Sequence, residues 1–175
     1  DTPSKAQSLG VLAPNEKSGD DVRRLGFETH GYLGLNDVDV YSFTGTGGSE
    51  VWIDIDRTTH ALDTIVELLN ANGTVLASSD DSPAEEAGAP LGGIGRLMTR
   101  STFDFGDLYT TNPRDAGMRV VLPGAAGSTN TYYVRIRAKN TVAQGDTLGR
   151  VSTGSYQWQL RLREADEVPG STIRQ

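Results

Sequence analysis

Cysteine is absent from this sequence. That one absence removes disulfides, thiolate nucleophiles, zinc ribbons and iron–sulfur clusters together. Histidine is scarce, with 2 residues, His30 and His60, and neither stands in a nucleophile motif. There is no G-x-S-x-G elbow and no H-E-x-x-H helix, so the residues carry no recognisable catalytic constellation. No apolar run approaches the roughly 20 residues of a spanning helix. The polar residues after Asp1 lack the charged-then-apolar pattern of a secretory leader, which is expected of a mature product or of a piece of a longer chain. Positive charge is in the minority, with 16 Lys and Arg against 23 Asp and Glu, a formal net charge of −7 and a pI near 4.8. Such a surface repels phosphate backbones and argues against a nucleic-acid partner. It favours a divalent cation wherever carboxylates converge.

What the sequence has in abundance is glycine, 21 residues in 175, with 7 prolines and a hydrophobic share of 36%. That composition suits short strands and many turns around one core. Alternation is the main signal. In Val38-Asp39-Val40-Tyr41-Ser42-Phe43, Asp39, Tyr41 and Phe43 share one face. In Glu50 to Asp56, Val51, Ile53 and Ile55 share a face opposite Trp52, Asp54 and Asp56. Further strands are expected at Leu62–Asn70, Thr74–Ser79, Met118–Leu122, Tyr132–Arg137 and Tyr156–Leu162. Asn72-Gly73 predicts a tight hairpin with a type I′ turn, since both residues tolerate positive φ.

Residues 1–22 carry Pro3, Gly10, Pro14 and Gly19 and are expected to form a linker or an arm lying over the domain. Residues 23–163 form the domain, and 164–175 a polar tail. Between Ser82 and Ala116 the period disappears. This long irregular excursion is expected to pack on its own or to hide a short helix near Pro83–Ala87. Seven or eight strands without a long amphipathic helix predict an all-β, antiparallel sandwich.

Several strands carry motifs that resemble the bacterial pre-peptidase C-terminal (PPC) domain family, modules appended to secreted proteases and other exported proteins. These are Asp37–Phe43, Val51–Asp56, Leu62-Asp63-Thr64, Asn70-Ala71-Asn72-Gly73, Leu76-Ala77-Ser78-Ser79-Asp80-Asp81, Thr131–Ile136 and Gly154-Ser155-Tyr156. Their order covers roughly residues 30 to 163 apart from the excursion. Between Asp81 and Arg119 the chain departs from the family's much shorter connection. The resemblance implies a jelly-roll-like sandwich of about eight strands, often holding calcium, with no activity of its own. It also implies an extracellular or cell-surface location.

The hairpin places the carboxylates. If Asn72-Gly73 are the turn residues, facing positions sum to 145, so Asp63 lies opposite Ser82 and Ile65 opposite Asp80. Asp63 and Asp80 are then diagonal neighbours at about 7–8 Å, close enough to share an ion with oxygen ligands at about 2.4 Å. Asp81 follows at the strand end. Asp54 and Asp56 share a face one strand earlier and would complete the set. Aspartates without His or Cys favour Ca2+ over zinc or copper. The ordinary alternative is that strand-end aspartates cap backbone amides.

Other features read as structural. Gly92-Gly93-Ile94-Gly95 has no strand leading into it and is expected to be a turn rather than a phosphate cradle. Trp52, Trp158, Tyr132, Tyr133 and Tyr156 fit core and sheet packing better than a sugar platform. Arg135, Arg137, Arg161 and Arg163 would make a basic stripe if their two strands were neighbours. The expected function is a calcium-stabilised, non-catalytic accessory module. The alternatives are a structural subunit of a surface layer, filament or extracellular assembly, working through protein contacts, and a carbohydrate- or collagen-binding module on a polysaccharide or protein surface.

Overall fold

The computed structural model describes residues 2–13, 23–24, 26–59, 62–80, 115–141 and 150–162. A 3-10 turn at Pro3–Lys5 precedes strands β1 (Gln7–Leu12), β2 (Arg23–Arg24), β3 (Gly26–Leu33), β4 (Val38–Thr46), β5 (Glu50–Asp56) and β6 (Thr64–Leu69). They are followed by β7 (Val75–Ser79), β8 (Gly117–Val121), β9 (Thr129–Ala138), β10 (Asn140–Thr141), β11 (Arg150–Val151) and β12 (Gly154–Leu162). One sheet has the order β2-β1-β4-β9-β6-β7, the other β3-β12-β5-β8, and β10 and β11 form a two-stranded ribbon. The predicted sandwich is present, with one change. Its pairings are antiparallel except at one edge, where β1 runs parallel to both β4 and β2.

Alternation explains the layers. Tyr41, Phe43, Val66, Leu68, Tyr132, Val134 and Ile136 from the six-stranded sheet join Val51, Ile53, Ile55, Met118, Val120, Tyr156, Trp158 and Leu160 from the other in a single core. Each large side chain sealed there contributes on the order of 1.5–3 kcal/mol relative to exposure. The Tyr41 and Trp158 rings meet across the layers with centroids 4.8 Å apart. Trp158, Tyr132 and Tyr156 are therefore core residues and cannot present a platform. Trp52 points outward on the four-stranded sheet, under the guanidinium of Arg161.

Three expectations change on contact with the structure. The N-terminal residues are more than an arm, because Gln7–Leu12 adds a strand to the sheet edge, with a register shift between Ser8 and Gly10. The segment before it still crosses the sheet. The Pro3–Lys5 turn packs on β4, while Pro3 Cγ would lie 3.8 Å from a Cβ added to Gly73 in the β6–β7 turn.

The hairpin turn is also displaced by one residue. The Gly73 amide donates to the Asn70 carbonyl at 2.9 Å and the Asn70 amide to the Thr74 carbonyl at 3.0 Å. Ala71 and Asn72 are thus the central pair, and only Gly73 takes positive φ, at 79°. The Asn70 side chain selects this geometry by accepting from the amides of Asn72 and Thr74. An irregularity between Leu68 and Leu69 then restores the expected register, so Val66 faces Ser79 and Glu67 faces Ser78, both sums being 145.

The third change is electrostatic. β9 and β12 lie in different sheets, so no basic stripe joins their arginines. Arg135 and Arg137 instead hold Glu67, whose Oε2 accepts from Arg135 Nε at 2.5 Å and whose Oε1 lies 3.2 Å from Arg137 Nη2. Burial pushes the Glu67 carboxyl upward, but the two guanidinium groups win and hold it below the usual carboxylate range.

Candidate functional site

The β3–β4 and β5–β6 connections, the end of β7, the start of β8, the end of β9 and the start of β12 lie at one end of the sandwich, as the strand pairings require. Asp37, Asp39, Asp56, Asp63, Asp80 and Asp115 all fall at that end. The chain folds locally around two hydrogen bonds, Thr59 amide to Ser155 carbonyl at 3.0 Å and Leu62 amide to Thr59 carbonyl at 2.8 Å. Leu62 is fully buried and plugs the core below them. Arg57, directly after β5, takes a left-handed conformation at φ 48°, an uncommon state for a residue with a side chain.

Asp63 is fixed through its backbone. Its carbonyl accepts from the Lys139 amide at 2.8 Å and from Ser152 Oγ at 3.2 Å, and its amide donates to the same Ser152 oxygen at 3.1 Å. Its Oδ1 is shielded from solvent. Asp80 follows β7 at the same end of the ladder. Lys139 connects the two, since its Nζ lies 2.6 Å from Asp80 Oδ2 while its amide serves Asp63. The Asp80 side chain is 47% exposed, but its other oxygen, Oδ1, is covered, and no donor among the described residues reaches it.

The remaining aspartates have other partners or places. Asp37 caps its own turn, accepting from the Val38 amide at 2.9 Å and from the Gly34 amide at 3.4 Å. Asp115 is 0% exposed and accepts from the Thr58 hydroxyl, while the next amide, Ala116, donates to Thr64 Oγ1 at 3.1 Å. Asp39 points into the sandwich, where the Tyr156 hydroxyl donates to its Oδ2 at 2.5 Å. Tyr41 lies 2.8 Å from the same hydroxyl and, with that proton committed to Asp39, acts as the donor. Burial raises the Asp39 carboxyl above its ordinary value despite this bond, and burial with these two partners pushes the Tyr156 phenol far up. The network ties the two sheets together. It leaves no space on β3, where a Cβ on Gly31 would sit 2.3 Å from the Tyr156 ring.

The structure thus brings Asp63 and Asp80 to one ladder end. It sets Asp54 and Asp56 on β5, in the other sheet, with Asp54 on its outer face. Asp81 lies outside the described residues, as do His60, Arg163, Pro83–Ala87 and Gly92–Gly95. Among the described residues no three His, Cys, Asp or Glu side chains are grouped closely enough to hold a metal ion. Sequence reasoning missed Lys139 and Asp115. Lys139 follows a clean strand and had no spacing signal, and Asp115 sits at the close of the aperiodic stretch.

An all-β sandwich of one mixed and one antiparallel sheet, with a carboxylate-rich end, defines the class. Residues 37–95 match the family model of the bacterial pre-peptidase C-terminal domain, in agreement with the motif resemblance. Among solved structures the chain is similar to the pre-peptidase C-terminal domain of a collagenase from Bacillus anthracis, at 12% identity and a TM-score of 0.45 over 90% of this chain and 95% of that one. It is also similar to PliG, a periplasmic inhibitor of g-type lysozyme from Aeromonas hydrophila, at 11% identity and a TM-score of 0.34 over 90% and 99% of the two chains. No curated protein sequence matches the chain.

Proposed function

We propose that this chain is a non-catalytic accessory module of an exported bacterial protein, braced by calcium at its carboxylate-rich end. The family match over residues 37–95 supports the first part, since such modules accompany secreted proteases. The second part rests on Asp80. One of its oxygens is held by Lys139, and the other is covered with no donor among the described residues. A carboxylate oxygen in that state is an incomplete ligand set, and hard oxygen-seeking cations complete such sets. Asp63 stands at the same ladder end with its backbone clamped, and Asp81 is next in the chain; these three would hold the ion. Asp54 and Asp56 stay with the other sheet and are left out of the set. Bound calcium would supply a counter-charge to carboxylates that otherwise repel, and so would add stability rather than chemistry.

Calorimetric titration tests this directly. Calcium should bind at one site per chain, and Asp80→Asn or Asp63→Asn should weaken it by about tenfold or more. A featureless titration of the folded wild-type protein would contradict the calcium part and leave the accessory-module reading to stand on the family match.

A further inference from the structure

The four-stranded sheet ends at β3, which pairs with β12 on one side and, among the described residues, with no strand on the other. Its 8 residues, Gly26 to Leu33, stay in register with β12 without a shift. Sheet edges are ordinarily blunted by shortness, a bulge, proline or lysine, because their free amides and carbonyls template another strand. The other edges are short: β2 has 2 residues, β7 has 5 and β8 has 5. β3 has none of these devices. Gly26 and Gly31, which have only backbone to show, are both partly exposed, so main chain along this strand reaches solvent.

The order of side chains on β3 is self-complementary about Thr29. In an antiparallel pair of two copies with Thr29 facing Thr29, Glu28 of each copy faces His30 of the other, Phe27 faces Gly31, and Tyr32 faces Gly26. Facing side chains in such a ladder start about 5 Å apart. Glu28 and His30 already share the outer face, with Glu28 Oε1 3.6 Å from His30 Nε2, and their side chains are 54% and 70% exposed. Across the axis two carboxylates and two imidazoles would alternate, and an imidazole donates to a carboxylate whether or not it is charged. Their neighbours on β12, Gln159 and Gln157, are uncharged. The exposed Tyr32 ring gains room over a glycine, and Phe27 meets the Tyr156 ring that fills the space over Gly31. Moving the axis to either neighbouring residue sets Glu28 against Glu28 or His30 against His30, which like charge disfavours.

We propose that two copies of this chain associate edge to edge through β3, antiparallel and with the two-fold axis at Thr29, so that their four-stranded sheets become continuous. The contact is isologous and uses the free edge of both copies, so it closes at the dimer. It goes beyond the accessory-module reading and draws on no residue of the proposed calcium set, so calcium should not alter it.

Sedimentation of the full chain from about 1 µM to about 0.5 mM, in calcium and in chelator, tests this. The mass should rise to twice that of the monomer and no further. Amide exchange along Gly26–Leu33 should slow in the concentrated sample relative to the dilute one. Glu28→Lys should weaken association about tenfold or more, because a two-fold contact contains each altered pair twice, and His30→Glu should do the same. Both side chains are exposed, so these variants should keep the wild-type melting midpoint. Combining Glu28→Lys with His30→Glu restores opposite charges and should return association to within about threefold of wild type. Val121→Lys, on the β8 edge, should leave it unchanged. The proposal is overturned by a monomer throughout that range, by growth beyond the dimer, by association that Glu28→Lys leaves intact, or by a double substitution no better than either single one.

Discussion

The two ends of the sandwich solve the same problem, reversing strands, with opposite chemistry. At one end Gly47, Gly48, Asn70, Gly73, Gly124 and Gly127 turn the chain through backbone hydrogen bonds, such as Gly47 amide to Ser128 carbonyl at 2.7 Å and Gly48 amide to Leu122 carbonyl at 2.8 Å. Glu50 is the acidic residue there among the described residues. At the other end six aspartates fall among the described residues, four in connections and two at strand ends, and Lys139 pairs with Asp80. The second end carries carboxylates with separate partners: Asp37 caps its own turn, Asp39 accepts from Tyr156 and Asp80 pairs with Lys139. The contrast makes the acidic end the place to test the proposed calcium brace.

Substitutions can break that contrast, and the largest effect is expected at Leu62. Leu62→Ala empties a fully buried position under the acidic end and should cost about 2–5 kcal/mol in chemical denaturation. Tyr156→Phe comes next. It removes the hydroxyl shared by Asp39 and Tyr41 and should cost about 1–3 kcal/mol, with the loss changing with pH.

The pH dependence has two opposing contributions. Asp39 has a folded-state pKa raised by burial above its ordinary 3.8, so its contribution is fully present below that value and is lost as pH rises through the folded pKa. Glu67 is the reverse. Its folded-state pKa lies below the ordinary 4.5, where Arg135 and Arg137 overcome burial, so its contribution is present above 4.5 and is lost as pH falls through the folded value. Asp39→Asn should therefore flatten the loss of stability on raising the pH, and Glu67→Gln should flatten the loss on lowering it; denaturation midpoints across the acid range read both. The smallest effect belongs to the glycine end. Asn70→Ala removes the acceptor for two turn amides and should cost about 1 kcal/mol, equally in calcium and in chelator.

Half-buried strands write themselves plainly in sequence, which is why β4, β5, β9 and β12 were legible from alternation alone. β3 was not, although Phe27, Thr29, Gly31 and Leu33 do alternate inward. Its inward position at Gly31 has no side chain because the Tyr156 ring fills that space from the neighbouring strand, and a missing residue gives no periodic signal. β1 was hidden by Gly10, at φ 115°, and by the shift in register beside it. The carboxylate arithmetic reached the right register from the wrong turn, because the irregularity near Leu68 cancels the one-residue displacement at Asn70. It also treated the hairpin in isolation. Strand pairing within a hairpin is local information, whereas the approach of Lys139 from β9, or the separation of Asp54 into another sheet, depends on the order of strands that only the fold supplies.

The acidic end is tested most directly by thermal melting of the wild-type chain in saturating calcium and in chelator, with Asp80→Asn alongside. Calcium at about 100 times its dissociation constant should add about 2.7 kcal/mol, raising the midpoint by roughly 5–10 °C, and Asp80→Asn should erase most of that gain. Superimposable wild-type curves would contradict the account.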